Sequence, residues 1–443
     1  MAATETLASP IANPEALAAA AQAASQPLMP DAGTLLLMLG LVLYVGVVGS
    51  YIFERFKIPD VLNLILIGLI LGPVLHLIDP GLLTPWMPVV GAVALSLILF
   101  EGGLGLELKN VIKRFGMAFL MATGSFLLTA SLIAVAYRVL AGAAWIPSLL
   151  LGSTLGCVSS AVILPISNLI KAPEHVKTTI DLESALSDMW GVVLTLVLMR
   201  LAPMAHVEAG YAFNAIIGAF TTAIVAGGAF GMIWLWALYR LRESQFAYMM
   251  TLAAVFVLYG LTELVHGSGP MAALTFGAVL SNADQVARLF GKRFLFVLDD
   301  KIRWFNTEVT FFARTFFFVY LGLVVSFGAF KFSFLLMLVY MMIAILVSRW
   351  AIVSGAVKLM QAEDSKYKML YFAMLPRGLT SAVLVGMVEA RVPGTDGFME
   401  YAFAIILLTN ILMTWWVYKH ESGPSDGARG EADGAKGDAP ATT

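Results

Sequence analysis

Asp181-Leu182-Glu183-Ser184-Ala185-Leu186-Ser187-Asp188 opens a run that is otherwise apolar as far as Arg200. Ser184 and Asp188 are four residues apart and share a helix face, whereas Glu183 is turned about 140° from Asp188 at 100° per residue. One side of this helix therefore presents a carboxylate with a hydroxyl, and a second carboxylate points at a different neighbour. An unpaired charge at the centre of a membrane helix costs roughly 2.5–3.5 kcal/mol on insertion scales, so each acid must be paired or used. The pattern assigns use to Asp188 and pairing to Glu183.

That these acids lie in a bilayer follows from the rest of the chain. Of 443 residues, 60% are hydrophobic and only 13% charged, and long apolar runs recur almost throughout. No single soluble core hides that much apolar surface, so the reading is an all-α polytopic membrane protein. At about 20 residues per crossing, about thirteen spans fit between residues 34 and 420. Residues 1–33 read as a mobile tail without a basic leader region, and 421–443 as a disordered cytoplasmic tail. The basic stretch 285–305 reads as a surface linker, potentially an amphipathic helix.

Net charge is −2, which gives no ground for a nucleic-acid partner. The single Cys157 excludes an internal disulfide, and the five histidines show no ligand spacing, so no resident metal or cofactor is expected. No His lies near Ser159, Ser160 or Ser184 in sequence and no HExxH occurs, so the chain does not read as an enzyme.

Basic residues fall on alternate loops: Arg55 and Lys57, then Lys109, Lys113 and Arg114, then Lys171 and Lys177, then Arg240 and Arg242, with later clusters in register. The opposite side carries only Arg138, Arg200, Lys331 and Arg391. Positive charge stays inside, so the N-terminus is expected outside and the C-terminus in the cytoplasm.

Few other polar groups lie in the spans. Glu101, in LILFEGGLGLEL, lies past the midplane of the third span, where it lines a cavity or snorkels to the interface. The fifth span (145–170) holds Gly156, Ser159, Ser160 and Pro165, which suit either a locally unwound helix or tight helix packing. The twelfth (366–389) holds Pro376-Arg377-Gly378, a break with a buried cation beside it. Thr380-Ser381-Ala382-Val383 echoes Ser159-Ser160-Ala161-Val162, and the two spans run in opposite directions seven spans apart. Two inverted-topology repeats of six spans with one linking span would give that arrangement. In the tenth span Arg314 needs an anion; Glu183 is the first candidate and Glu308 a local competitor. Arg349 lies near a predicted cytoplasmic end and reads as snorkelling.

With FEGGL at Phe100–Leu104, Glu-Ser-x-x-x-Asp at Glu183–Asp188, an arginine before FFFVYLG and the Arg-Gly of the twelfth span, the chain resembles the monovalent cation/proton antiporter superfamily, specifically the NhaP-type sodium/proton antiporters. The likeness runs from about residue 34 to 419. It implies a thirteen-span inverted-repeat fold with unwound crossing helices, a homodimer, and a place in the cell (inner) membrane. It also implies that Asp188 carries the ion, that Ser184 is a cation ligand, that Glu101 lies at or near the site, and that Glu183 pairs with Arg314. Two departures stand out: Ser187-Asp188 where the family usually has Asn-Asp, and Ser159-Ser160-Ala161 where it usually has Thr-Asp-Pro. The second removes a carboxylate and leaves sodium and potassium both open.

The expected function is exchange of a monovalent cation for a proton, electroneutral, with both competing for Asp188. Asp188, Ser184, Glu101, a backbone carbonyl near Ser159 and the Ser160 hydroxyl would supply the hard oxygen ligands. The alternative is a potassium efflux pathway or passive cation channel without proton coupling.

Overall fold

The computed structural model describes residues 60–76, 87–106, 108–204, 209–241, 246–289, 300–325, 331–359 and 365–421, with isolated helical positions between 33 and 51. The expected tails, most of the first span and the middle of the linker 285–305 lie outside the described residues.

The described chain is almost wholly helical. Its helices are α1 (Asp60–Leu69, continued by a wide turn over Ile70–Val74), α2 (Met87–Leu104) and α3 (Leu108–Leu140). Next come α4 (Trp145–Gly156), α5 (Ser160–Leu169), α6 (Glu174–Leu201) and α7 (Ala209–Leu241). They are followed by α8 (Ala247–Leu264), α9 (Gly269–Ser281), α10 (Ala283–Leu289) and α11 (Asp300–Val324). The last four are α12 (Phe332–Val357), α13 (Lys368–Ala373), α14 (Leu379–Arg391) and α15 (Phe398–Glu421). Among the described residues, eight stretches are long and apolar enough to cross a membrane; Val61–Val74, Val89–Leu104 and Gly269–Ser281 are shorter apolar helices.

Two sets of helices frame the interior. In one, α3 packs on α4, α6 and α12; in the other, α2 packs on α9 and α1 on α11. The second set closes through glycine. A Cβ on Gly103 would collide with the Leu274 carbonyl and one on Gly277 with the Phe100 carbonyl; Gly68 and Gly322 meet in the same way through Val319 and Ile65. Lacking a side chain at both partners, these pairs bring backbones together where the lipid offers no hydrophobic drive to do so.

Two predicted spans are not continuous helices. Twelve residues of α4 rise only about 18 Å and ten of α5 about 15 Å, so neither alone crosses a core of about 30 Å. They are separated by Cys157, Val158 and Ser159, with extended backbone at Cys157 and Ser159. The twelfth span breaks likewise between α13 and α14, over Met374–Gly378. The two breaks touch: the Ser159 amide donates to the Pro376 carbonyl at 2.9 Å. A Cβ on Gly378 would lie 2.5 Å from Ser159 Oγ, so only glycine lets them approach this closely.

At one end of α6, Arg200 donates to the His266 and Gly267 carbonyls and pairs with Glu263 at 3.2 Å. The other Glu263 oxygen accepts from the Gly269 amide at the start of α9, so this acid serves as a cap.

Candidate functional site: a buried carboxylate where two broken helices cross

A break inside a membrane strands backbone groups, and each must find a partner. In an unbroken helix the amides of Val158, Ser159 and Ser160 would bond the carbonyls of Thr154, Leu155 and Gly156. Here all three turn away. Val158 donates to Ser187 Oγ at 2.9 Å, Ser159 to the Pro376 carbonyl, and Ser160 to Asp188 Oδ2 at 2.8 Å. The freed carbonyls are retaken from the other side. Arg377 Nε donates to Leu155 O at 3.0 Å and its Nη2 to Gly156 O at 3.3 Å, and the Cys157 thiol approaches Thr154 O at 3.6 Å. The three redirected amides and the three freed carbonyls are thus met by α6, the second break and the Cys157 thiol.

Asp188 is wholly buried. Its Oδ2 accepts from both the amide and the hydroxyl of Ser160, the latter at 2.5 Å. Its Oδ1 is enclosed and accepts nothing. The positive end of α5 thus faces the carboxylate, as expected for an anion at a helix N-terminus. Thr380, in the first turn of α14, lies beside the same carboxylate, and its buried hydroxyl makes no hydrogen bond of good geometry. Ser159 Oγ is also buried without a partner. The C-terminal, negative ends of the broken helices receive the cations: Arg377 on α4, and Arg349 on α13, where its Nε and Nη2 donate to the Tyr371 carbonyl at 3.0 and 2.5 Å.

Of the sequence-predicted residues, the structure therefore joins Asp188, Ser160 and Ser159 directly. Ser184 shares the Asp188 face, but its hydroxyl donates to the Asp181 carbonyl one turn back at 2.9 Å. Glu101 is partly exposed, and Oε1 accepts from Thr307 of α11 at 2.9 Å. Arg377 is buried at the crossing, as its position beside Pro376 suggested.

The expected Glu183–Arg314 pair is corrected. Glu183 is clasped by both terminal nitrogens of Arg349, one of them at 3.1 Å, with both side chains 2% exposed. Arg349 is thus a buried cation rather than a snorkelling one. It lies eight residues before the end of α12, about 12 Å inside that helix. Arg314 has a different task. Pro165 has no N–H, so the Ala161 carbonyl four residues earlier loses its helical donor. Arg314 Nη1 approaches that carbonyl at 3.5 Å, with its guanidinium 5.8 Å from the centre of the Phe311 ring.

Sequence reasoning noted Thr380 only within the echo of Ser159–Val162, and missed Thr409 and Asn410. Thr409 Oγ1 accepts from the Arg377 amide at 3.0 Å, and Asn410 Nδ2 donates to the Arg377 carbonyl at 2.8 Å. A signal was present: Thr-Asn in the middle of an apolar last span is costly if left unpaired, though less so than a charge.

Residues 40–418 match the family described as sodium/hydrogen exchanger, transmembrane. A sodium/proton antiporter of Methanocaldococcus jannaschii is 26% identical over 367 residues, which cover 78% of this chain and 81% of that one. A potassium/proton antiporter NhaP of Alkalimonas amylolytica is 26% identical over 290 residues, covering 62% of this chain but only 48% of the relative. The solved structure of the M. jannaschii sodium proton antiporter MjNhaP1 at pH 8 superposes with a TM-score of 0.73 at 23% identity, covering 86% of this chain and 95% of that one. The family match spans most of the chain, and the buried carboxylate sits in a helical fold like that of a solved antiporter. This chain belongs to the sodium/hydrogen exchanger family.

Proposed function

We propose that the protein exchanges a monovalent cation, sodium or potassium, for a proton, with Asp188 holding each in turn. The observation that carries this is the Asp188 carboxylate, enclosed at the crossing with Oδ2 anchored by Ser160 and Oδ1 accepting no hydrogen bond. A carboxylate fixed at one oxygen and uncommitted at the other offers one site to two guests. Cation and proton then compete, and one carboxylate serving one of each makes the exchange electroneutral. Ser159, Ser160 and Ser184 contribute hydroxyl oxygens and Glu101 lies on the approach; cations of this class favour such hard ligands.

In this reading the bundle containing α3–α6 and α12–α15 moves against α1, α2, α8, α9 and α11 to open Asp188 to each side in turn. The protein works as a homodimer in the cell membrane, with its N-terminus outside and its C-terminus in the cytoplasm. The inverted repeat gains support from the glycine crossings. Exchanging the two halves maps the third and ninth spans (α2, α9) onto the tenth and second (α11, α1), and each of these pairs closes through a glycine on both helices.

The test is exchange in everted vesicles carrying a pH-sensitive dye, with membrane potential monitored. Sodium or potassium should dequench the dye without charging the membrane, and Asp188→Asn should abolish the signal. Full activity in Asp188→Asn removes the carrier; cation current without proton movement makes the protein a channel.

A further inference from the structure

Seven threonines within the helices of this protein spend their hydroxyls on their own backbone. Thr178, Thr179, Thr251, Thr262, Thr275, Thr409 and Thr414 each donate to the carbonyl four residues earlier. This is the ordinary fate of a helical hydroxyl. Thr380 is wholly buried and does not do so. The reason lies in the break that precedes it. The carbonyls that a continuous helix would put in reach of its hydroxyl, three and four residues back, belong to Arg377 and Pro376. Arg377 O is taken by Asn410 Nδ2 at 2.8 Å and Pro376 O by the Ser159 amide at 2.9 Å. Gly378 is extended rather than helical (φ −159°, ψ −140°), so these carbonyls turn to other segments instead of lying along α14, and the Thr380 hydroxyl is left beside Asp188 without an acceptor in its own helix.

We propose that Thr380 is a cation ligand, supplied by the second broken helix, and that it helps set the ion preference of the site. This rests on the exchange reading of Asp188 and deepens it. Three buried oxygens at the crossing have no hydrogen-bond partner: Asp188 Oδ1, Ser159 Oγ and Thr380 Oγ1. They come from α6, the first break and α14. A cation held by all three ties together the segments that the helix breaks separate, and its radius decides how far apart they sit. Gly378 makes the approach possible, since any side chain there would strike Ser159. Thr380 thereby supplies an oxygen in a site where the fifth span offers Ser160 and Ala161 in place of a second carboxylate.

The test compares Thr380→Val, which keeps the shape without the hydroxyl, with Thr380→Ala and Thr380→Ser. Apparent KM for sodium, potassium and lithium is measured in reconstituted vesicles, and cation-induced thermal stabilisation of the purified protein in parallel. Loss of a ligand to a charged group should raise KM about tenfold or more in the Val and Ala variants, with the ions less well discriminated. Stabilisation by cation should fall with it, while Thr380→Ser stays close to the unmodified protein. Unchanged KM and ion ranking in either hydroxyl-free variant overturns the assignment, provided the unmodified protein exchanges in the same vesicles. Absence of exchange in the unmodified protein instead overturns the reading of Asp188. Failure of both hydroxyl-free variants to assemble, with Thr380→Ser sound, would make the hydroxyl structural and overturn the ligand role equally.

Discussion

The two helix breaks meet, yet they are held by different chemistry. At the first, between α4 and α5, the redirected amides end on Ser187, Pro376 and Asp188, so one of its three anchors is an ionisable acid. At the second, between α13 and α14, the Arg377 peptide is clamped by the neutral Thr409 and Asn410, while Leu375 and Tyr371 give their carbonyls to arginines. The Arg349 cation that caps this second break is itself neutralised by Glu183. A change of charge at Asp188 therefore reaches the first break through its own backbone hydrogen bonds. Nothing in the second break's clamp changes charge with it. The lesson is a division of labour: the anchors of the first break would respond to an ion at Asp188, whereas the clamp on the second carries no group that titrates with it.

Substitution at Arg349 breaks the comparison most severely. Arg349→Ala leaves Glu183 buried and unpaired and strips the cap from Tyr371 O, a change that typically costs 3–5 kcal/mol. Little folded protein should survive gel filtration in detergent. Replacing Glu183 and Arg349 together by Leu and Met should recover much of the loss, since an apolar pair leaves no stranded charge. Arg314→Met should be far milder, because Arg314 is not the partner of Glu183; equal damage from the two arginines would reverse that assignment.

The Thr409–Asn410 clamp on the second break should then prove mainly structural, and the Ser187 and Asp188 anchors of the first functional. Asn410→Leu removes the donor to the Arg377 carbonyl and should cost about 1–3 kcal/mol in thermal unfolding, with a shift in cation KM smaller than that from Ser187→Ala. Ser187→Ala strands the Val158 amide at a similar cost, but beside Asp188, so it should shift cation KM as well. If Asn410→Leu moves KM as much as Ser187→Ala, the two breaks are not distinct. Gly378→Ala sharpens the same point. Its Cβ would need space 2.5 Å from Ser159 Oγ, so the breaks must separate, at about 1–3 kcal/mol and with loss of exchange.

What the sequence disclosed depended on whether a residue's meaning was local. The membrane class, the breaks at Ser159 and Pro376, and the buried acid at Asp188 follow from composition, small residues, proline and a charge in an apolar run. The Ser187 and Asp188 anchors were hidden because hydrogen bonds between a break and another helix have no sequence period. Pairing of Glu183 failed for a related reason. Two arginines sat in apolar helices, and only the packing puts Arg349 beside α6 and Arg314 beside Pro165. The Pro165 effect was nonetheless readable: a proline inside a helix frees the carbonyl four residues earlier, and a buried donor had to exist for it.

The smallest effect on stability is expected at Ser184. Its hydroxyl donates to the carbonyl of Asp181 within the same turn, a bond of the kind that contributes little to a helix and often slightly disturbs it. Ser184→Ala should therefore leave the melting temperature nearly unmoved, within about 0.5 kcal/mol. That neutrality makes the substitution informative. The Ser184 oxygen keeps its lone pairs while its proton is engaged, and it lies one turn from Asp188 on the same face, so it can coordinate a cation without giving up its own hydrogen bond. A raised cation KM in a protein of unchanged stability then reads out coordination alone. An unchanged KM would leave the shell to Asp188, the first break and α14, and place the ion nearer the crossing than the Ser184 turn.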